Sequence, residues 1–290
     1  MLSRPVDSDF AELARRIALL GPADAVLFYG SSFRTGDRDG VADFYALVDR
    51  PGRGAGAWRW PMVSYHEIEI GGAVLRAKVA SMTLDEFERA ARGRSIDTTI
   101  WTRFAQPVRL PYARDSALAD RVTGAVADSI VTAARFAAAL GPARGPAAAY
   151  WEALFHATYG AEFRVEKQSR AQGLLAAEPV HFDVMLPLAW RRLGLLGDGD
   201  PTVGVLTPRI DPGDRARWLR EWRRRSRAGK PLNIARLLRA PLTFDGATRY
   251  ALWKIERHTG IHIPVTPWRE RHPVLAATGV LFRLWRAARR

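Results

Sequence analysis

Two short apolar runs with a glycine-serine turn between them restrict this chain more than any other feature. Ala25 to Tyr29 is too short for a stable helix and ends at Gly30-Ser31-Ser32. Val41 to Val48 is a second run, closed by Asp49-Arg50-Pro51-Gly52. Apolar runs of this length bounded by turn residues read as strands. A strand that ends in Gly-Ser lets the backbone turn closely beneath a phosphate, because glycine has no side chain to block the approach. Tyr29, Gly30, Ser31 and Ser32 are therefore the expected phosphate-binding residues. Asp43, opening the second strand, is the expected metal ligand, since a carboxylate there can hold a divalent cation against the same phosphates.

The period of two limits what else can join that site. Asp43, Tyr45, Leu47 and Asp49 share a strand face, but at about 3.3 Å per residue Asp43 and Asp49 lie roughly 20 Å apart and cannot share one ion. A further ligand has to come from a neighbouring strand, where Glu67 and Glu69 are the candidates. The histidines point to no zinc site: His258 and His262 are four apart, but Gly260 and Pro264 break the helix such a pair needs.

The surrounding pattern predicts an α+β chain. Residues 9–20 read as an amphipathic helix with Phe10, Leu13, Ile17 and Leu20 on one face, stopped by Gly21-Pro22. Gly52 to Trp60 is a glycine-rich loop. Val63 to Ile70 and Ala73 to Val79, joined at Gly71-Gly72, form a hairpin. Thr83 with Glu86 three residues later is a capping-box signature before a helix. Beyond Pro111 the pattern turns helical, over Ser116 to Leu140 and Pro146 to Tyr159. Strand signals early and helical signals late predict a mixed-sheet domain over residues 1–115, a mainly helical domain over 116–207, and a third region over 208–290.

That third region stands apart in charge. The chain carries a net charge of +14, and residues 208–290 hold 20 of its Lys and Arg against 6 Asp and Glu, leaving 24 of each sign before them. A basic tail seeks polyanions, either anionic lipid or nucleic acid. Trp218 and Trp222 lie among arginines between Asp214 and Arg227, and Leu281 and Trp285 among those from His272 to Arg290. Tryptophan beside arginine on a helix suits the headgroup layer of a bilayer, so these four are the expected membrane-docking residues. The absence of cysteine excludes disulfides, thiol catalysis and thiolate metal sites. Acidic Asp7, Asp9 and Glu12 argue against a signal peptide, and no uninterrupted apolar run reaches the roughly 18–20 residues of a spanning helix. The expected location is cytoplasmic, peripherally associated with the inner face of the membrane.

Tyr29-Gly30-Ser31, the segment from Asp43-Phe44 to Val48-Asp49, and Leu75-Arg76-Ala77-Lys78-Val79 together resemble the mitochondrial-type CDP-diacylglycerol synthases, in a bacterial-type relative. These are soluble phosphatidate cytidylyltransferases of nucleotidyltransferase fold. Trp101-Thr102-Arg103-Phe104-Ala105-Gln106-Pro107-Val108, Val131 to Ala134, and Leu154-Phe155 through Glu162-Phe163-Arg164 are similar to further motifs of that family, collinear over roughly residues 25–170. The family's Trp-His segment after the second acid is absent, and Gly52 to Trp60 stands in its place. Many nucleotidyltransferases have two acids separated by one residue, and here the second position is Tyr45.

The resemblance implies that CTP and phosphatidate give CDP-diacylglycerol and pyrophosphate with Mg²⁺. It implies catalytic roles for Asp43, Lys78 and Arg103 and a nucleotide-binding role for Arg164. CTP, phosphatidate or a related anionic lipid, and an anionic membrane surface are the expected partners. The alternatives are a nucleotidyltransferase acting on RNA or protein, or a non-catalytic nucleic-acid-binding protein on the same fold.

Overall fold

A computed structural model of the chain describes residues 2, 5–21, 23–49, 61–161, 169–197, 200–201, 204–271, 276 and 279. The glycine-rich segment from Gly52 to Trp60, Arg164, Leu281 and Trp285 lie outside the described residues.

The elements run α1 (Ser8–Leu20), β1 (Ala25–Tyr29), α2 (Ser31–Thr35), β2 (Val41–Val48), β3 (Met62–Ile70), β4 (Ala73–Thr83), α3 (Leu84–Ala91), α4 (Thr99–Phe104), β5 (Arg109–Ala113) and α5 (Ser116–Leu140). After them come β6 (Gly145–Pro146), α6 (Ala147–Ala161), α7 (Ser169–Ala177), α8 (Pro179–Arg192), β7 (Val205–Leu206), α9 (Pro212–Thr243), β8 (Phe244–Asp245), α10 (Ala247–Thr259) and α11 (Pro267–Arg271). The class is α+β, with a six-stranded mixed sheet in the order β5-β1-β2-β4-β3-β8. Strand β2 runs antiparallel to β1 and parallel to β4, and β3 and β4 form the expected hairpin.

The two predicted strands form where their apolar runs lie because both faces of the sheet are covered. One face, carrying Phe28, Phe44, Ala77 and Val79, packs on Phe10, Leu13 and Ile17 of α1. Leu20, expected on that helical face, is instead 62% exposed in the last turn of α1 before Gly21. The other face, carrying Leu27, Tyr45, Leu47 and Met82, packs on Phe87, Phe104 and the first half of α5. Thr83 caps α3 as expected, its hydroxyl accepting from the Glu86 N–H at 3.3 Å.

Helix α5 is long and apolar enough to cross a membrane by length and composition alone, yet most of that stretch is buried inside the fold. Its first half, through Leu118, Val122 and Val126, belongs to the sheet core. Its second half, through Phe136 and Ala137, belongs to a helical core built around Trp151, Phe155, Phe182 and Trp190. The apolar packing is thus continuous across the expected boundary at residue 115.

The basic third region begins as part of that helical core. Trp218 and Trp222 are 6% and 7% exposed and lie in the same cluster as Trp151 and Trp190. Trp222 sits edge-on to Trp101, with ring centroids 6.5 Å apart. This corrects their assignment to a membrane face. Arginine and tryptophan do segregate around α9, but the aromatic side faces inward and Arg217, Arg220, Arg223, Arg224 and Arg227 face solvent. Gly229 continues the inward stripe where α9 meets α6, and a β-carbon there would lie 2.6 Å from the Ala161 carbonyl oxygen.

Trp222→Ala should therefore cost about 3–5 kcal/mol of stability, the usual loss for a buried tryptophan. Chemical denaturation without lipid measures it, and a midpoint like that of the parent chain would restore the membrane assignment.

Candidate functional site

The register of three neighbouring strands builds the floor of a cleft. Tyr29 of β1 is opposite Asp43 of β2, and Asp43 is opposite Lys78 of β4. Opposed residues project to the same face of a sheet, so the three side chains form one row. Tyr65 of β3 extends the row beyond Lys78. Along the same face, the buried Tyr45 and Leu47 continue beneath the helices, while the row at Asp43 opens into a cleft of about 410 Å³.

The cleft gathers residues far apart in sequence. Tyr29, Gly30, Ser31, Asp43, Lys78 and Arg103 all line it, so the expected residues from four separate segments meet in one place. Ser32 does not. It is buried, and its hydroxyl donates to the Val41 carbonyl at 3.1 Å, which ties α2 to β2 rather than serving a ligand. Arg164 falls outside the described residues. Sequence reasoning missed Arg34 from α2, Thr102 and Gln106 beside Arg103, and Thr158, Tyr159, Gly173 and Leu174 from α6 and α7. Arg34 follows the Gly-Ser turn by one helical turn, a spacing that could have marked it. The far wall, by contrast, required knowing which helices pack over the sheet.

Gly30 has φ +94° and ψ −162°, a backbone region open essentially to glycine alone. A β-carbon there would lie 2.8 Å from the Asp43 Oδ2. The turn and the carboxylate are thus in contact, and the missing side chain is what allows it.

Arg103 enters from above on α4, its guanidinium 5.2 Å from the Tyr29 ring centroid. The segment before α4 is held by α9. Arg225 donates to the carbonyls of Gly93 and Ser95. Arg236 pairs with Asp97 and donates to the Thr99 hydroxyl at 3.0 Å. Burial pushes the Tyr29 hydroxyl up to about 12, with Arg103 opposing the rise and Asp43 adding to it. Tyr29 is therefore a neutral hydrogen-bonding group near pH 7 and not an ionised base. Burial raises the Tyr45 hydroxyl as well, and its ring packs against Phe87 and Phe104 at 5.9 and 5.3 Å. Tyr45, two residues after Asp43, is thus a core aromatic and adds no second acid to the site.

Neither of the other acid candidates reaches the cleft. Glu67 pairs with Arg76 at 3.3 Å and accepts from the Tyr65 hydroxyl at 2.9 Å, and Glu69 is exposed on the hairpin. Asp49, at the far end of β2, is held by Arg114 and Arg121. Among the described residues no three His, Asp or Glu side chains gather into a metal-binding group, and Asp43 is the one carboxylate among the lining residues of the cleft. Mg²⁺ is commonly held by only one or two carboxylates, with substrate phosphates and water completing its shell. Such a donor set suits a cation that arrives with a polyphosphate, not one bound tightly by protein alone. Among the described lining residues Arg34, Lys78 and Arg103 stand against one acid, a balance that favours an anionic ligand.

The chain matches no protein-family profile and no curated protein.

Two outcomes follow from this geometry. Gly30→Ala should lose at least tenfold in ligand affinity, and about 1–3 kcal/mol of stability, because it strains the backbone and displaces the Asp43 carboxylate. Calorimetric titration and thermal unfolding of the variant check both. Mn²⁺, followed by its paramagnetic effect on water relaxation, should bind weakly alone and at least tenfold more tightly in the presence of a nucleoside triphosphate. Equal affinity in both conditions would mean that the protein supplies a complete metal site.

Proposed function

We propose that the chain is a nucleotidyltransferase that moves a cytidylyl group from CTP to the phosphate of phosphatidate or a related anionic lipid. The observation that carries the reading is the convergence of Gly30-Ser31, Asp43, Lys78 and Arg103 on one cation-lined cleft. These are the residues that the resemblance to the mitochondrial-type CDP-diacylglycerol synthases assigns to the reaction. The mixed sheet, with β2 between an antiparallel and a parallel neighbour, is compatible with a nucleotidyltransferase fold.

The chemistry asks little of the protein beyond placement and charge. A phosphate monoester has its second pKa near ~6, so the acceptor oxygen is already anionic at neutral pH and needs no general base. That oxygen forms a bond to the α-phosphorus of CTP while the bond from this phosphorus to the bridging oxygen of the β-phosphate breaks, and the electron pair leaves with pyrophosphate. Gly30 and Ser31 offer backbone N–H groups and a hydroxyl to the phosphate chain. Lys78, Arg103 and Arg34 offset its negative charge and hold the two anionic reactants together against their repulsion. Asp43 would hold Mg²⁺ against the phosphates, and the ion, when bound, supplies charge neutralisation at the transferred group.

The lipid acceptor has support from the solvent face of α9. Arg217, Arg220, Arg223, Arg224 and Arg227 are exposed there, and each cation near an anionic surface contributes about 1 kcal/mol. Docking of this kind is electrostatic, with the tryptophans of α9 kept inside the fold.

Asp43→Asn should abolish cytidylyl transfer while leaving the unfolding midpoint within about 1 °C, since it removes a charge at nearly constant shape. Pyrophosphate release from CTP with Mg²⁺ and phosphatidate liposomes is the assay, run beside ATP, GTP and UTP and beside RNA as acceptor. Full turnover by the variant would remove the catalytic reading, and preference for ATP or RNA would select the alternative nucleotidyltransferase. In sedimentation with phosphatidate-rich liposomes, the combined change of Arg220, Arg223, Arg224 and Arg227 to Glu should release most of the bound protein. The parent chain should be released by salt, because exposed charges are screened over about 8–10 Å near physiological ionic strength. Unchanged binding by the charge-reversed chain would locate the docking surface elsewhere.

A further inference from the structure

Helix α10 lies far along the chain from the row Tyr29, Asp43, Lys78, and nothing in the sequence resemblance reaches it. It is nevertheless fixed around that row at three places, two on the edge strand β3 and one on the loop after α2. Before it, β8 adds to the edge of the sheet, with Phe244 opposite Val63 and Asp245 opposite Ser64. Gly246 then packs so tightly on β3 that a β-carbon would lie 2.8 Å from the Tyr65 carbonyl oxygen. At its far end, Arg257 donates to the Asp39 carbonyl at 2.6 Å and approaches the Asp37 carboxylate at 3.6 Å, in the loop that follows the Gly-Ser turn and α2.

Between these anchors the helix presents Tyr250, Trp253 and Arg257, spaced to share one face. Tyr250 meets Tyr65 at 5.5 Å and stacks with Trp253 at 6.4 Å. The Arg76 guanidinium lies 5.5 Å from the Trp253 ring, and the Lys78 ammonium 5.8 Å from the Tyr250 ring.

We propose that Tyr250 is a positioning residue, whose ring face holds the Lys78 ammonium at the cleft floor where it meets the phosphates. Lysine is a point charge on a flexible four-carbon stem and gains direction only from its neighbours. An aromatic face attracts an ammonium within about 6 Å, so the Tyr250 ring restricts where the head of that stem can sit. The basic third region thereby contributes to the site itself. The task given to Lys78 rests on the cytidylyltransferase reading, whereas its contact with Tyr250 does not.

The chain has four lysines, Lys78, Lys167, Lys230 and Lys254, so reductive methylation with ¹³C-formaldehyde gives few dimethyl-lysine signals. Lys78→Arg identifies the one from Lys78. That signal should be shifted upfield by the ring in the parent chain and in Tyr250→Phe. It should return to the position of an exposed lysine in Tyr250→Leu. An unshifted parent signal, or no change in Tyr250→Leu, overturns the contact whether or not the protein transfers nucleotides. Kinetically, Tyr250→Leu should lose about tenfold in kcat with CTP and phosphatidate at a temperature where it is fully folded, and Tyr250→Phe should recover most of it. Parent-like turnover by Tyr250→Leu, or an equal loss in Tyr250→Phe, overturns the positioning role. Tyr250→Met replaces Tyr250→Leu in both experiments if the latter does not fold. If the parent chain itself transfers no cytidylyl group, the function proposed above fails, and the methyl signal still decides the Tyr250–Lys78 contact.

Discussion

Pairing of β2 with strands on both sides is the constraint on which the rest of this molecule depends. From Phe44 to Val48 every residue of that strand is buried, with Phe44 and Ala46 facing α1 and Tyr45 and Leu47 facing the helices of the opposite layer. A slip of one residue would exchange the two sets and bury Asp43 against α1. The burial therefore fixes where Asp43 emerges. Through the ladders to β1 and β4, it also fixes that Tyr29 and Lys78 stand beside it. The placement of Asp43 and Lys78 is thus set by the burial of their apolar strand neighbours.

Local signals made much of this legible in the sequence. The paired apolar runs, the hairpin at Gly71-Gly72, the Thr83 cap and the long helix from Ser116 are short-range patterns, and the fold realises them with shifts of a few residues at most. The floor of the cleft was readable for the same reason: a strand, a Gly-Ser turn and an acid carry their own geometry. Ser32 departed because adjacent residues of a turn point in different directions, and its hydroxyl found the Val41 carbonyl.

What stayed hidden was tertiary. Trp218 and Trp222 among arginines fit a bilayer surface and a buried seam equally well, because an amphipathic helix does not state what covers its apolar side. The answer lay in Trp101 and Phe136, more than eighty residues earlier, against which Trp222 packs. Arg225 and Arg236 lie in the same basic region, and nothing local marks them as structural. They in fact satisfy the carbonyls and carboxylate of the segment from Gly93 to Thr99, and so hold the helix that carries Arg103.

Helix α5 gives the cleft a mechanical character. The same unbroken helix supplies Val122 and Val126 to the core beneath the sheet and Phe136 and Ala137 to the core beneath the far wall. A protein whose two halves meet only through a linker can close like a jaw on its ligand, with the hinge absorbing the motion. Here the halves share a beam. Opening the jaw would pull side chains out of one close-packed interior or the other. A gap of nearly fixed width then selects ligands by what fits between its walls, and rearrangement on binding falls to the side chains and turns at its mouth.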